Sequence, residues 1–259
     1  MNRGRAVRRA ADLGAEAVSF WSGAKAPGLS DGEARAGGGT GGGPTVIELT
    51  DMFDDVVRSA GEPWLAEALE RLAADSAAIG VLFPVVRRTC GADPLPGLPG
   101  WSADQAVRVR LLLALPLRGA ALTSVVHDLY RHGDPAERIA VLRGLGPLAV
   151  RRGLGSGGLP IVRDALRSND ARLIRAAVGP YAAEHLPDAD YRQAVLKCVF
   201  IGIPLAAVAG LERRWDGELS RMLADYARER RAAGREVPPD IRTMCFDHDR
   251  SDSYLDLQG

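Results

Sequence analysis

From Trp64 to Ile241 apolar residues recur at spacings of three and four, and no convincing alternating strand of five or more residues is found. A strand with one wet face needs a period of two, and an amphipathic helix needs a period near 3.6. This part of the chain is therefore expected to build helices and almost nothing else.

Turn residues divide the pattern into elements. Pro63 suits the first turn of a helix, and Leu65, Leu69, Leu72 and Ile79 follow at helical spacing. That helix is expected to reach about Val81, with Pro84 kinking or splitting it. After the loop GADPLPGLPG at 91–100, Ser102 with Gln105 three residues on has the form of a capping box. The helix it opens reaches Leu115, Pro116 interrupts, and another runs over about 119–131. Asp134-Pro135 starts a helix carrying Ile139, Leu142 and Leu145, and RRGLGSGG at 151–158 breaks it. Segments 159–167 and 171–178 read as a helical pair with a tight polar turn. Asp188 or Asp190 starts an apolar helix ending near Ile203. Asp216 caps a final helix from Gly217 to Ala233, and Gly234 stops it. The expected fold is all-α: HEAT-like hairpins stacked as a short α-solenoid or helical bundle.

The ends differ in character. Residues 1–45 are rich in Gly, Ala, Ser and Pro and finish in GGGTGGGP, so they read as disordered or linker-like. Acids at Asp12 and Glu16 interrupt the only stretch there that could serve as a signal-peptide core. Residues 46–243 form a single helical domain in this reading, beginning with a short amphipathic helix over 46–59. Residues 244–259 hold Asp247, Asp249, Asp252 and Asp256 and read as a flexible acidic tail.

Charge and motif exclude several functions. The formal net charge is zero, whereas a general nucleic-acid binder needs surplus cations to displace counterions, so no nucleic acid is expected. No CxxC, HExxH or Gly-x-Ser-x-Gly occurs, and no metal or other cofactor is expected. Gly153-x-Gly155-x-x-Gly158 has the spacing of a dinucleotide fingerprint, but no strand precedes it, and it reads as a helix–helix loop. The run Val195–Leu211 is apolar, yet Lys197 and Pro204 lie inside it. A buried helix and a Pro-broken turn are expected there, with no transmembrane span.

Two polar sets remain. Arg221, Asp225 and Glu229 are spaced by four on the last helix, as a solvated salt-bridge ladder or an acid/base site. Gln193 and Lys197 are also four apart, on a helix that reads as apolar nearly all round and therefore central. A lysine there must snorkel, hold a ligand's anion or pair with a carboxylate, with Glu212, Glu218 and Asp225 as the expected partners. Only two of the 33 Lys and Arg residues are lysine, which singles out Lys197.

The strings RSND at 167–170, QAVLKCVFIGIPL at 193–205, GLERR at 210–214, ELSRMLADYA at 218–227 and ERRAAGR at 229–235 resemble the EboA family of metabolite-traffic proteins. Matched one by one, the family's polar positions include Asn169, Gln193, Lys197, Arg214, Asp225, Glu229, Arg230 and Arg235, which become the candidate ligand- or partner-binding residues. Val178-Gly179-Pro180-Tyr181 departs from the family's Asn-Pro-Tyr-Pro turn. The resemblance implies a cytoplasmic protein, peripheral at the inner face of the membrane in one version. Its partners would be other proteins of a secondary-metabolite pathway, among them a membrane prenyltransferase-like protein, with a small-molecule metabolite as cargo. No catalytic residue is implied. The expected role is a non-catalytic scaffold or carrier. The alternatives are a small-molecule binder or enzyme of the same pathway, with an internal pocket lined by Lys197, Gln193, Arg214 and Asp225, and a HEAT-like protein-interaction module.

Overall fold

The computed structural model describes residues 57, 63–95 and 100–241. The arm at 1–45, the tail at 244–259 and, apart from Val57, the expected helix at 46–59 lie outside them. Among the described residues every regular element is a helix, and the sole β-type pairing is an isolated bridge between Pro94 and Ser102.

The α-helices are α1 (Trp64–Ala74), α2 (Ile79–Cys90), α3 (Ala103–Ala114), α4 (Gly119–His132) and α5 (Pro135–Arg152). They continue with α6 (Leu159–Arg167), α7 (Ala171–Ala177), α8 (Pro180–His185), α9 (Asp188–Ile201) and α10 (Gly217–Ala232). Short 3₁₀ turns lie at Ser76–Ala78, Gly155–Gly158 and Leu205–Ala207. Packing follows a simple rule. α1 lies on α3, α3 on α5, α5 on α7 and α7 on α9, while α2, α4 and α6 each flank the next odd-numbered helix.

The central elements are α3 and α5. α3 is buried on almost every side: Ala106, Val107, Val109, Leu111 and Leu112 have no exposed surface. Gly144 lets α5 come close, since a Cβ there would sit 3.0 Å from Leu112 Cδ1. This corrects the placement of α9, expected at the centre. Tyr191, Ala194, Val195, Cys198 and Val199 of α9 face the core, but Phe200 is 77% exposed and Gln193 is exposed as well. An apolar sequence bias concealed an ordinary one-sided surface helix.

Two local expectations also change. The first helix breaks at Asp75 rather than at Pro84, because the Asp75 carboxylate accepts the Ala77 N–H and starts a 3₁₀ turn. Pro84 lies inside α2. Ser102 occupies the N-cap of α3 but makes no capping bond; its Oγ donates to Asp104 Oδ1 at 2.5 Å instead. The capping box forms two helices later, at the start of α5. The Asp134 carboxylate accepts from Glu137 N at 2.8 Å, and Glu137 Oε2 accepts from Asp134 N at 3.0 Å. The glycine string at 153–158 is a helix–helix connection, with Gly153 (φ 67°) ending α5 in the left-handed region.

The apolar run at 195–211 is split as expected. α9 stops at Gly202 (φ 85°), and Pro204 leads into a 3₁₀ turn. No helix of the described residues is long and apolar enough to cross a membrane.

Asp216 ties the last helix down. Its carboxylate accepts from Arg192, as close as 2.5 Å, and from Leu219 N at 2.8 Å. The hydrogen bonds from Arg192 hold it below the usual carboxylate range; burial opposes them, and the Leu219 N–H adds a lesser lowering effect. A depressed folded-state value stabilises the fold above the unfolded value of about 4 and is lost as pH falls through the folded value. Asp216→Asn should therefore flatten part of the acid limb of stability measured by urea midpoint against pH. The side chain is 37% exposed, so screening keeps the effect small.

Candidate functional site

Lys197 points from α9 toward the turn between α6 and α7. Its ammonium donates to Leu166 O at 2.5 Å and to Ser168 O at 2.8 Å. These carbonyls belong to the end of α6, where the last four C=O groups have no helical partner and carry the negative end of the helix dipole. The carboxylate expected as its partner is not what it meets. Glu218 and Asp225 engage Arg221 instead. The lysine is half-buried, and two carbonyls satisfy it as a carboxylate would.

Arg214 does the same for α8. Its Nη1 donates to Ala182 O and Ala183 O, and its Nη2 donates to Leu186 O at 2.8 Å and to Asp188 Oδ1 at 2.6 Å. The guanidinium also stacks over the Tyr191 ring, 4.1 Å from its centroid. Tyr191 in turn donates to Ala209 O at 2.7 Å, which holds the turn after α9. Two further cations repeat the pattern. Arg152 donates twice to Leu113 O at the end of α3, and Arg138 donates to Arg131 O and Gly133 O at the end of α4.

The remaining candidates lie at the surface. On α10, Arg221 binds both Glu218 and Asp225, and Arg228 also binds Asp225, which is the solvated ladder. Glu229 is exposed beside it. Arg230 donates from Nε to Glu236 O at 2.6 Å and lies over the Tyr226 ring. Asn169, Gln193 and Arg235 are exposed. Of the eight candidates, the fold brings Asn169 near Lys197 through the Ser168 carbonyl, keeps Gln193 one turn before Lys197, and leaves Arg214 just before α10, Asp225, Glu229 and Arg230 on it, and Arg235 just past its end.

Groups that could do chemistry are tuned away from it. Burial pushes the Cys198 thiol up to about 12, so it stays protonated and is a poor nucleophile. Burial likewise pushes Tyr191 up to about 12, with Arg214 and Arg213 acting in the opposite direction. His127 is bonded to Gly157 O at 2.8 Å, and His185 lies against the Tyr181 ring. Among the described residues no group of three or more His, Cys, Asp or Glu side chains could hold a metal ion.

One polar cluster was missed in the sequence. Arg108, with no exposed surface, donates to Asp104 Oδ2 at 2.8 Å and to Phe83 O at 3.1 Å, and its second nitrogen lies 3.7 Å from Glu137 Oε1. The signal was an Asp–Arg pair at a spacing of four on a helix rich in apolar residues. The cluster joins α2, α3 and α5 and so fixes the centre of the stack.

Over the described residues the chain is thus an all-helical protein in which Lys197 and Arg214 tie helix ends together. The match to known families is specific: the family model of the metabolite traffic protein EboA covers residues 94–245, so the chain belongs to the EboA family. No curated protein and no solved structure shows a significant match to it.

Proposed function

We propose that this protein is a non-catalytic helical scaffold or carrier in the trafficking or maturation of a secondary-metabolite precursor. The family name supports the metabolite-traffic role. The scaffold reading is supported chiefly by one observation. Lys197 and Arg214, cations at positions matched to the family, are both spent on the carbonyls of helix ends. In this reading residues 46–243 are one HEAT-like stack, consistent with the succession of odd-numbered helices. Its partners are other proteins of the pathway, including a membrane prenyltransferase-like protein, met at the cytoplasmic face.

The test is Lys197→Met in the native host, with metabolite output and folded protein measured together. Output should fall only as far as the amount of folded protein falls, and raised expression should restore it. Output abolished at a normal level of folded protein would exclude the scaffold reading in favour of a ligand-contacting lysine.

A further inference from the structure

The last helix keeps its charges on separate flanks. Along α10, Leu219, Leu223 and Ala227 are buried against the core. Glu218, Asp225 and Glu229, spaced by seven and four, share one flank of the outer surface. Arg221, Ala224, Arg228 and Arg231 share the other, and Arg235 follows just past the helix end. All five of these are exposed. The seam between the flanks is paired: Arg221 meets Glu218 and Asp225, and Arg228 meets Asp225. Beyond it the pairing stops. Among the described residues Arg231 and Arg235 meet no carboxylate.

A cation in the last turn answers the negative end of the helix dipole, which accounts for Arg231 in part. Arg230 already serves the backbone there through Glu236 O. Arg235 stands past the helix, where the dipole has fallen off. The same chain carries the opposite charge close by. Gly234 (φ 67°) turns the backbone, and Arg235 N donates to Arg230 O at 2.8 Å. Asp240 Oδ2 then accepts from Leu205 N at 2.9 Å, and Ile241 is 2% exposed. The chain is thus pinned to the body where the described residues end. Residues 242–259 follow, with Asp247, Asp249, Asp252 and Asp256 against Arg242 and Arg250. Six residues of extended chain, the distance from Ile241 to Asp247, span roughly 20 Å, and the 16 residues of α10 about 24 Å. The acids are therefore within reach of the whole arginine flank.

We propose that the acidic segment 247–256 docks on the arginine flank of α10 in its own chain, with Arg228, Arg231 and Arg235 as its contacts, and covers that flank against other anions. A single exposed ion pair contributes little. The tether changes the balance. It holds the segment beside the helix at an effective concentration on the order of millimolar, so several weak pairs act together. Such docking weakens with salt, because both partners are exposed. The inference does not depend on the scaffold reading, which rests on Lys197 and Arg214.

The experiment places a nitroxide on Ala224→Cys in the full-length, isotope-labelled chain. Cys90→Ala and Cys245→Ala remove the competing thiols, and Cys198 has no exposed surface. Backbone amide signals of residues 247–256 are recorded by NMR with the nitroxide oxidised and then reduced. At low ionic strength the oxidised label should remove most of their intensity. About 1 M salt, where the Debye length is about 3 Å, should restore it. So should Arg228→Gln combined with Arg231→Gln and Arg235→Gln, which removes the charges and leaves the tether and a good helix former in place. A nitroxide on Ala66→Cys, exposed on α1, should leave the same signals unchanged. No loss of intensity from Ala224→Cys overturns the proposal. So does a loss that the arginine substitutions leave intact, since tethering alone would give it. A loss seen when nitroxide-bearing chains of natural isotope content are mixed with label-free isotope-labelled chains would place the segment on a second copy and overturn docking within one chain.

Discussion

Replacing Arg108 with alanine is expected to destabilise the protein by about 3–5 kcal/mol, because it strands a buried carboxylate. Asp104 is 1% exposed and loses the guanidinium at 2.8 Å. Phe83 O loses its donor as well, and Glu137 loses the nearby charge that complements its capping role. Urea denaturation of the purified variant would show the loss as a lower midpoint at unchanged slope. Removing both charges should behave differently. Arg108→Met with Asp104→Leu exchanges the ion pair for apolar contact on a helix already buried on almost every side, and such exchanges are often neutral or stabilising. A single variant as mild as the double one would mean that water reaches the cluster.

The second large effect is at Arg214. Its side chain is 13% exposed and serves three backbone carbonyls and one carboxylate while stacking on Tyr191. Arg214→Ala should cost about 2–3 kcal/mol, since the carbonyls that close α8 lose a charged donor at a partly buried place. Arg214→Lys should recover only part of this, because an ammonium can neither fork between Ala183 O and Leu186 O nor stack flat on the ring. Thermal melts of the three proteins at one pH rank them. Equal melting temperatures for the alanine and lysine variants would show that the fork and the stack contribute nothing.

Much of the fold was legible because helix punctuation is local. Asp134-Pro135, Asp216 and Gly234 name their own positions in a helix, and each stands where its chemistry places it. Ser102 stands at the right position, yet its hydroxyl turned to Asp104, which sits beside the buried Arg108. A long-range ion cluster outcompeted a local cap, and no local pattern could show that. The centre of the stack was misplaced for a related reason. α9 is richer in apolar residues than its packing requires, whereas α3 carries Asp104 and Arg108 and still buries both, because the two charges satisfy each other.

The candidate site was legible as a set of residues and illegible as an arrangement. Lys197 stood out by composition, and its need for a partner was correctly set by desolvation. A carboxylate was expected because side-chain partners can be named in a sequence. Backbone carbonyls at the end of α6 look like any other residues until the fold turns α9 toward them. The same limit hid Arg152 and Arg138, each of which reaches a carbonyl on another helix or past a turn.

Lys197 and Arg214, two of the polar residues matched to the family, hold helix ends together. Hydrogen exchange read by mass spectrometry on wild type and Lys197→Met tests it most directly. Without the ammonium, Leu166 O and Ser168 O lose their donor, and the end of α6 should open more often. Exchange should be faster only in peptides spanning about residues 163–172, with α3 and α5 protected as before. Unchanged exchange over that segment would contradict it.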